Sequence, residues 1–233
     1  MFKSLYTREF LEAVARWDGS YGPPSPEARK TPNGIQVLKN KFVENVFARA
    51  HPIVPGLWVL PLGAWMLYRG VAYQSPIMLA IQVIVGILTW TLVEYGIHII
   101  LFHLSYKPTD ENAKIRQFLL HGYHHEFPND AYRLVAPPFL AWPLAIPVAA
   151  LTWAVVGTPN VWGALSGIFL GYLAYDWMHY YTHHFRPKSG MGKFLRDYHL
   201  IHHFAHPTKN MGLSSPLWDY VFGLAVPPPR TKK

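Results

Sequence analysis

Leu134-Val-Ala-Pro-Pro-Phe-Leu-Ala-Trp-Pro-Leu-Ala-Ile-Pro-Val-Ala-Ala-Leu-Thr-Trp-Ala-Val-Val156 contains no charged residue. It leads through the turn Gly157-Thr158-Pro159-Asn160 into a second apolar run, from about Val161 to Thr182. No Asp, Glu, Lys or Arg occurs between Arg133 and Asp176. A helix needs about 20 apolar residues to cross a bilayer core, so each run is long enough to be a span. Working outward, two more candidate spans precede them, from about Pro52 to Tyr68 and from Pro76 to about Tyr106. Arg69 is the only Lys, Arg, Asp or Glu between Arg49 and Glu94. The second span, at about 31 residues, makes a helix of about 46 Å against ~30 Å of hydrocarbon, so its C-terminal end is expected to stand clear of the membrane. The fourth is expected to do the same. Pro137, Pro138, Pro143 and Pro147 predict a kinked or partly re-entrant third span.

The bulk numbers agree. Hydrophobic residues make up 51% of the 233 and charged residues 15%, against about 25% charged in an average soluble domain. With no cysteine, disulfides, thiolate haem, iron–sulfur clusters and cysteine-type zinc sites are excluded. The net charge of +8 comes from cations that flank the apolar runs, which argues for membrane topology and not for nucleic-acid binding. Eight Lys or Arg precede the first span, Arg69 follows it, four lie between the second and third, none lies in the turn after the third, and eight follow the fourth. By the positive-inside rule this puts both termini and the middle loop on the cytoplasmic side. Residues 1–50 read as a cytosolic amphipathic segment with no evident chemistry, and 51–233 as a membrane-embedded domain with a cytosolic cap.

Twelve of the thirteen histidines fall between His98 and His206. Eleven of them form four clusters, with His206 outside: His98 with His103; His121, His124 and His125; His179, His183 and His184; His199, His202 and His203. Positions i, i+3 and i+4 share a helix face, so His121, His124 and His125 converge, as do His199, His202 and His203, and His179 with His183. His98 and His103, five apart, point roughly 140° from each other on a regular helix; either they serve different metals or the helix loosens there. Neutral imidazole ligates iron, zinc and copper, and clusters this dense are hard to explain as packing, because each buried ring needs a partner. All four clusters fall on the face that Lys and Arg mark as cytoplasmic. Glu94, four before His98, and Asp176, three before His179, are placed to orient those rings by accepting their other N–H.

The histidine clusters, with Pro128-Asn129-Asp130-Ala131-Tyr132-Arg133-Leu134-Val135, Pro137-Pro138, Tyr175-Asp176 and Trp218-Asp219, resemble the integral-membrane fatty acid hydroxylase superfamily. Within it they are most similar to the fatty acid 2-hydroxylases of sphingolipid synthesis. The resemblance covers about half the chain. It implies an all-α integral membrane protein of four transmembrane helices under a cytosolic, histidine-rich cap. A dimetal centre would be held by His98, His103, His121, His124, His125, His179, His183, His199, His202 and His203. It further implies two iron ions as the active metals, with zinc able to occupy the same nitrogen sites. The expected reaction is O2-dependent hydroxylation of a lipid acyl chain at carbon 2. No fused cytochrome b5 domain is expected, so electrons come from an external partner such as cytochrome b5, or ferredoxin with its reductase. The membrane is that of a bacterial inner membrane or the endoplasmic reticulum. A sterol, carotenoid or desaturase-type oxidase shares the histidines and is the alternative. A non-catalytic membrane metal-binding protein is disfavoured, because few ionisable groups lie mid-span.

Overall fold

The computed structural model describes residues 3–103 and 110–229. It is all helical, with no strand among the described residues beyond one isolated bridge between Tyr6 and Leu38. The predicted end of the second span at Tyr106 lies outside the described residues.

Local chemistry sets the helix ends. The Thr7 hydroxyl accepts from Phe10 N–H and opens α1 (Arg8–Arg16). Asn40 caps α2 (Lys41–Val43), which runs into a π turn over Glu44–Ala48. α3 (Val54–Val71) is followed by α4 (Pro76–Gly96), capped by Ser75 with Pro76 in the first position, where its missing N–H is not needed. α4 continues as a π turn through Ile97–Phe102. Asp110 caps α5 (Glu111–Gln117), which passes through a π turn at Phe118–Gly122 into α6 (Tyr123–Glu126). Then come α7 (Pro138–Val156), α8 (Val161–His184), α9 (Gly190–Phe204) and the short α10 (Leu217–Val221).

Two helices, Pro76–Phe102 and Pro138–Val156, are long and apolar enough to cross a membrane. Only 11% and 6% of their apolar windows are covered by the rest of the protein. The core helix of a soluble protein would be covered; these expose Ile77, Ile84, Leu88, Ile146, Leu151 and Val155. An apolar surface of that extent belongs in lipid, and the chain is a membrane protein. The 27 residues of the first helix make about 40 Å, longer than the ~30 Å of hydrocarbon. α7 runs as one continuous helix through Pro143 and Pro147. Those two prolines are four apart, and both lost hydrogen bonds fall on one side of the helix.

α8 is the central post. It packs along α4 and α3 and buries thirteen of its residues. Gly163, Gly167 and Gly171 repeat at every fourth position and let α4 come close. A Cβ on Gly167 would stand 2.1 Å from the Val83 carbonyl oxygen, and one on Gly86 2.3 Å from that of Ala164. Because protein surrounds α8, it can carry Tyr, His and Asp that a lipid-facing helix cannot. A second core joins the N-terminal segment to the cap. Phe10, Val14, Trp17 and Val37 pack with Ile115, Phe118, Tyr123 and Phe127.

Candidate metal centre

The four sequence clusters meet as two groups of imidazoles. In one, donor atoms of His98, His103, His121 and His202 all lie within 4.8 Å of one another; in the other, those of His124, His179, His183, His199 and His203 do. His125 adjoins the first group, its Nε2 3.0 Å from that of His121. Its ring stacks on His203 of the second group, centroids 4.2 Å apart, so the two groups share a wall.

The helices explain this division. His98 and His103 fall in the same group because the π turn bonds His103 N–H to the His98 carbonyl, five residues back, at 2.9 Å. A helix widened to i→i+5 bonds brings the two rings together, and their centroids stand 4.7 Å apart. The His-x-x-His-His motifs share a face, as their spacing predicts, but each straddles the two groups. His121 goes to the first and His124 to the second; His202 goes to the first, and His199 and His203 to the second. Adjacent residues on a helix diverge by about 100°, which turns neighbours such as His202 and His203 toward different centres.

The spacing between nitrogens is that of ligands. His179 Nε2 lies 2.8 Å from His124 Nε2, which lies 2.9 Å from His203 Nε2; that is 3.0 Å from His199 Nε2, itself 2.9 Å from His183 Nε2. In the other group His121 Nε2 is 3.2 Å from His98 Nε2. One Nε2 offers either a single proton or a single lone pair, so a nitrogen with two close imidazole neighbours cannot hydrogen-bond to both. Nitrogens bound about 2.0–2.1 Å from one ion stand about 2.9–3.4 Å apart, which matches. The buried Nε2 atoms of His103 and His202 have no hydrogen-bond partner. Burial pushes His121, His124, His125, His199, His202 and His203 well below the usual imidazole value of 6.5, and neighbouring imidazoles push most of them the same way. Neutral rings keep the lone pairs a metal needs. The residues therefore fit a pair of ions with nitrogen-only ligation.

Main-chain carbonyls fix the outer ring edges. His98 Nδ1 is 2.6 Å from Met211 O, His179 Nδ1 3.1 Å from Leu134 O, and His202 Nδ1 2.8 Å from Lys209 O. An Nδ1–H donated to a carbonyl leaves Nε2 deprotonated and facing inward. Glu94 and Asp176 do not take the ring N–H groups of His98 and His179 as expected, because these carbonyls occupy that position. Glu94 instead accepts from Leu213 N–H, Ser214 N–H and the Ser214 hydroxyl. His184 stacks on Tyr180, and His206 is exposed.

Several residues here lie outside the histidine pattern. Tyr21, from the N-terminal segment, lays its ring 4.3 Å from that of His103 and 5.3 Å from that of His125, and Gln117 donates to its hydroxyl. Arg133 pairs with Glu44 and Asp130 and donates to the Ala48 carbonyl at 2.7 Å, which anchors the segment bearing Leu134. Asn210, at φ 56°, ties Tyr198 O to Val226. None of these belongs to a periodic pattern, and each acts across a long stretch of chain.

A cavity of about 610 Å³ reaches the site. Its walls are apolar, from Phe139, Leu140 and Leu144 of α7, Leu165 and Ile168 of α8, and Trp90 of α4. Its polar end is formed by His121, His124 and His179 with Glu94 and Asp176.

The sequence model of the family described as Fatty acid hydroxylase matches residues 83–224, which hold both histidine groups. The chain belongs to the fatty acid hydroxylase family. It is 39% identical over 194 residues to a dihydroceramide fatty acyl 2-hydroxylase of Arabidopsis thaliana, covering 82% of this chain and 79% of the relative. It is 40% identical over 215 residues to the human fatty acid 2-hydroxylase, covering 83% of this chain and 57% of that one. A solved structure of full-length scs7p, in which only the hydroxylase domain is visible, superposes with a TM-score of 0.75 at 33% identity, over 82% of this chain and 73% of that one. The hydroxylase is thus an enzyme, an oxidoreductase of the monooxygenase type.

Proposed function

We propose that this hydroxylase inserts oxygen at carbon 2 of the acyl chain of a fatty acid or ceramide-type lipid. One observation carries the reading: an apolar cavity lined by lipid-facing residues of α7 ends on histidines of both groups. Phe139, Leu140 and Leu144 at the wall are exposed, so an acyl chain can enter from the bilayer. A polar head group would stay at the end formed by His121, His124, His179, Glu94 and Asp176, which sets a carbon near the head group beside the metals. The named activities of the Arabidopsis and human relatives, at the 2-position of acyl chains, support the choice of carbon.

His98, His103, His121, His125 and His202 would hold one iron, and His124, His179, His183, His199 and His203 the other. When bound, such a pair supplies O2-dependent insertion of one oxygen atom into a C–H bond, the second leaving as water with two electrons and two protons from outside. The carbonyls of Met211, Leu134 and Lys209 hold three rings at fixed angles, and the apolar wall excludes water from the reacting carbon. In this reading α3, α4, α7 and α8 are four spans, residues 1–50 a cytosolic segment, 51–233 the hydroxylase domain, and both termini cytoplasmic. α3 and α8 are less apolar because α8 is sheathed by protein and α3 lies against it. The electrons would come from a redox module of the cytochrome b5 or ferredoxin type.

The test is expression in a host lacking 2-hydroxy lipids, followed by mass spectrometry of extracted acyl chains. New 2-hydroxy species are expected. An unchanged lipid profile from protein shown to hold two irons, with a working reductant present, would overturn the reading.

A further inference from the structure

Beside the first histidine group a carboxylate holds a loop and not a ring. On α4, Glu94 lies one turn before His98; its carboxylate takes the N–H groups of Leu213 and Ser214 at 3.2 and 2.9 Å, while the carbonyl of Met211 meets His98 Nδ1 at 2.6 Å. The gripped N–H groups lie two and three residues beyond the carbonyl that orients the ring. The loop follows α9, and the Glu94 and His98 side chains are buried.

From this arrangement we infer that Glu94 is a positioning residue, serving one metal site through the backbone of a loop and not through a ring. The inference rests on the two-metal reading above. A carboxylate accepting backbone N–H groups makes stronger bonds than a neutral acceptor. It pins the loop to the same helix that carries the histidine, so carbonyl and imidazole keep one relative position. Without the grip the carbonyl drifts, and the ring loses its tautomer and its angle. Around the first site a second carboxylate reinforces the loop. Asp219 takes Met211 N–H and Gly212 N–H, both at 2.8 Å. Two carboxylates thus hold four consecutive N–H groups, from Met211 to Ser214. Asp219 is remote in sequence from every histidine, so a shared phenotype with Glu94 has to pass through the loop.

The experiment counts metal ions in purified full-length protein in detergent, by elemental analysis per monodisperse protein and by the time course of release to a chelator. Wild type is expected to hold two equivalents. Glu94→Ala should weaken one site by about 10–100-fold and retain one equivalent after chelation. Glu94→Ala combined with His98→Ala should still keep one. Glu94→Gln should hold both ions, because its amide oxygen accepts the two backbone N–H groups and its NH2 can face the Ser214 hydroxyl. Asp219→Asn should weaken the same site as Glu94→Ala, because its NH2 would meet Gly212 N–H donor to donor. If Glu94→Ala does not yield monodisperse protein, the contrast between Glu94→Gln and Asp219→Asn decides. Loss of both ions together in Glu94→Ala or Asp219→Asn, or a Gln variant as weak as the Ala variant, overturns the inference while leaving the two-metal reading intact. Fewer than two equivalents in wild type defeats the two-metal reading and the inference with it.

Discussion

The lipid-facing half of the molecule and its histidine cap are built on opposite terms. α7 and the first part of α4 present Ile77, Ile84, Leu88, Leu151 and Val155 to their surroundings, with almost nothing packed over them. In the cap, His199, His202 and His203 are almost completely buried, and their nitrogens lie about 3 Å from neighbours. The first surface tolerates any side chain of similar polarity, because lipid adapts to it. The second tolerates few changes, because every donor atom must lie at ligand distance from a common point. Composition defines one region and position defines the other.

The sharpest way to break that contrast is at a ring shared by the chain of contacts. His203→Ala removes a nitrogen that faces both His124 and His199. Formation of 2-hydroxy lipid should fall at least about 100-fold, with metal content reduced in elemental analysis; near-normal product would remove His203 from the site. Next comes Gly167→Leu, at the α4–α8 contact, where even a Cβ would stand 2.1 Å from Val83 O. Overpacking of this kind costs about 1–3 kcal/mol or more, read as a lower thermal midpoint and poor yield. Leu151→Ala on exposed α7 should change stability by no more than about 0.5 kcal/mol. Equal losses from the two variants would show that the exposed helix is as position-dependent as the packed one.

A pH series sharpens the comparison further. The cap imidazoles His121, His124, His125, His199, His202 and His203 have folded values lowered by burial below 6.5. Between the unfolded value and the lower folded one, the unfolded chain binds more protons, so stability is present above about 6.5 and is lost as pH falls. Metal-free protein should therefore show a falling thermal midpoint from pH 7 to pH 5. A flat profile over that range would mean the rings are not held neutral. The smallest effect is expected in the cavity, which belongs to both regions. Leu165→Trp narrows its apolar wall and should shift product toward shorter acyl chains by a few-fold, measured as the ratio of chain lengths in the extracted lipids.

Much of this could be read from the chain. The charge-free run from Leu134 to Tyr175 sets out two of the helices; α8 ends two residues beyond the bound read from sequence, and α7 starts four residues after its own. The histidine spacings name ten rings, and the structure brings nine of them into two groups with His125 alongside. Other features were hidden. The π turn at Ile97–Phe102 decides that His98 and His103 meet, and no propensity announces it. Glu94 is legible as a partner of the site, but not its hold on Leu213 and Ser214. Tyr21 lay in a segment with no evident chemistry.

Sequence by itself determined which segments are apolar enough to form long helices and which residues can ligate a metal, because polarity and donor chemistry belong to each side chain wherever it lies. Only the tertiary structure decided how nine imidazoles divide between two groups, with His125 alongside, and which carbonyls meet three of the rings. That division depends on a helix widened at one turn, on glycines that let α4 and α8 touch, and on a loop more than a hundred residues away from the helix that grips it. Those are relations of distance between remote parts of the chain, and they exist only once the backbone has closed on itself.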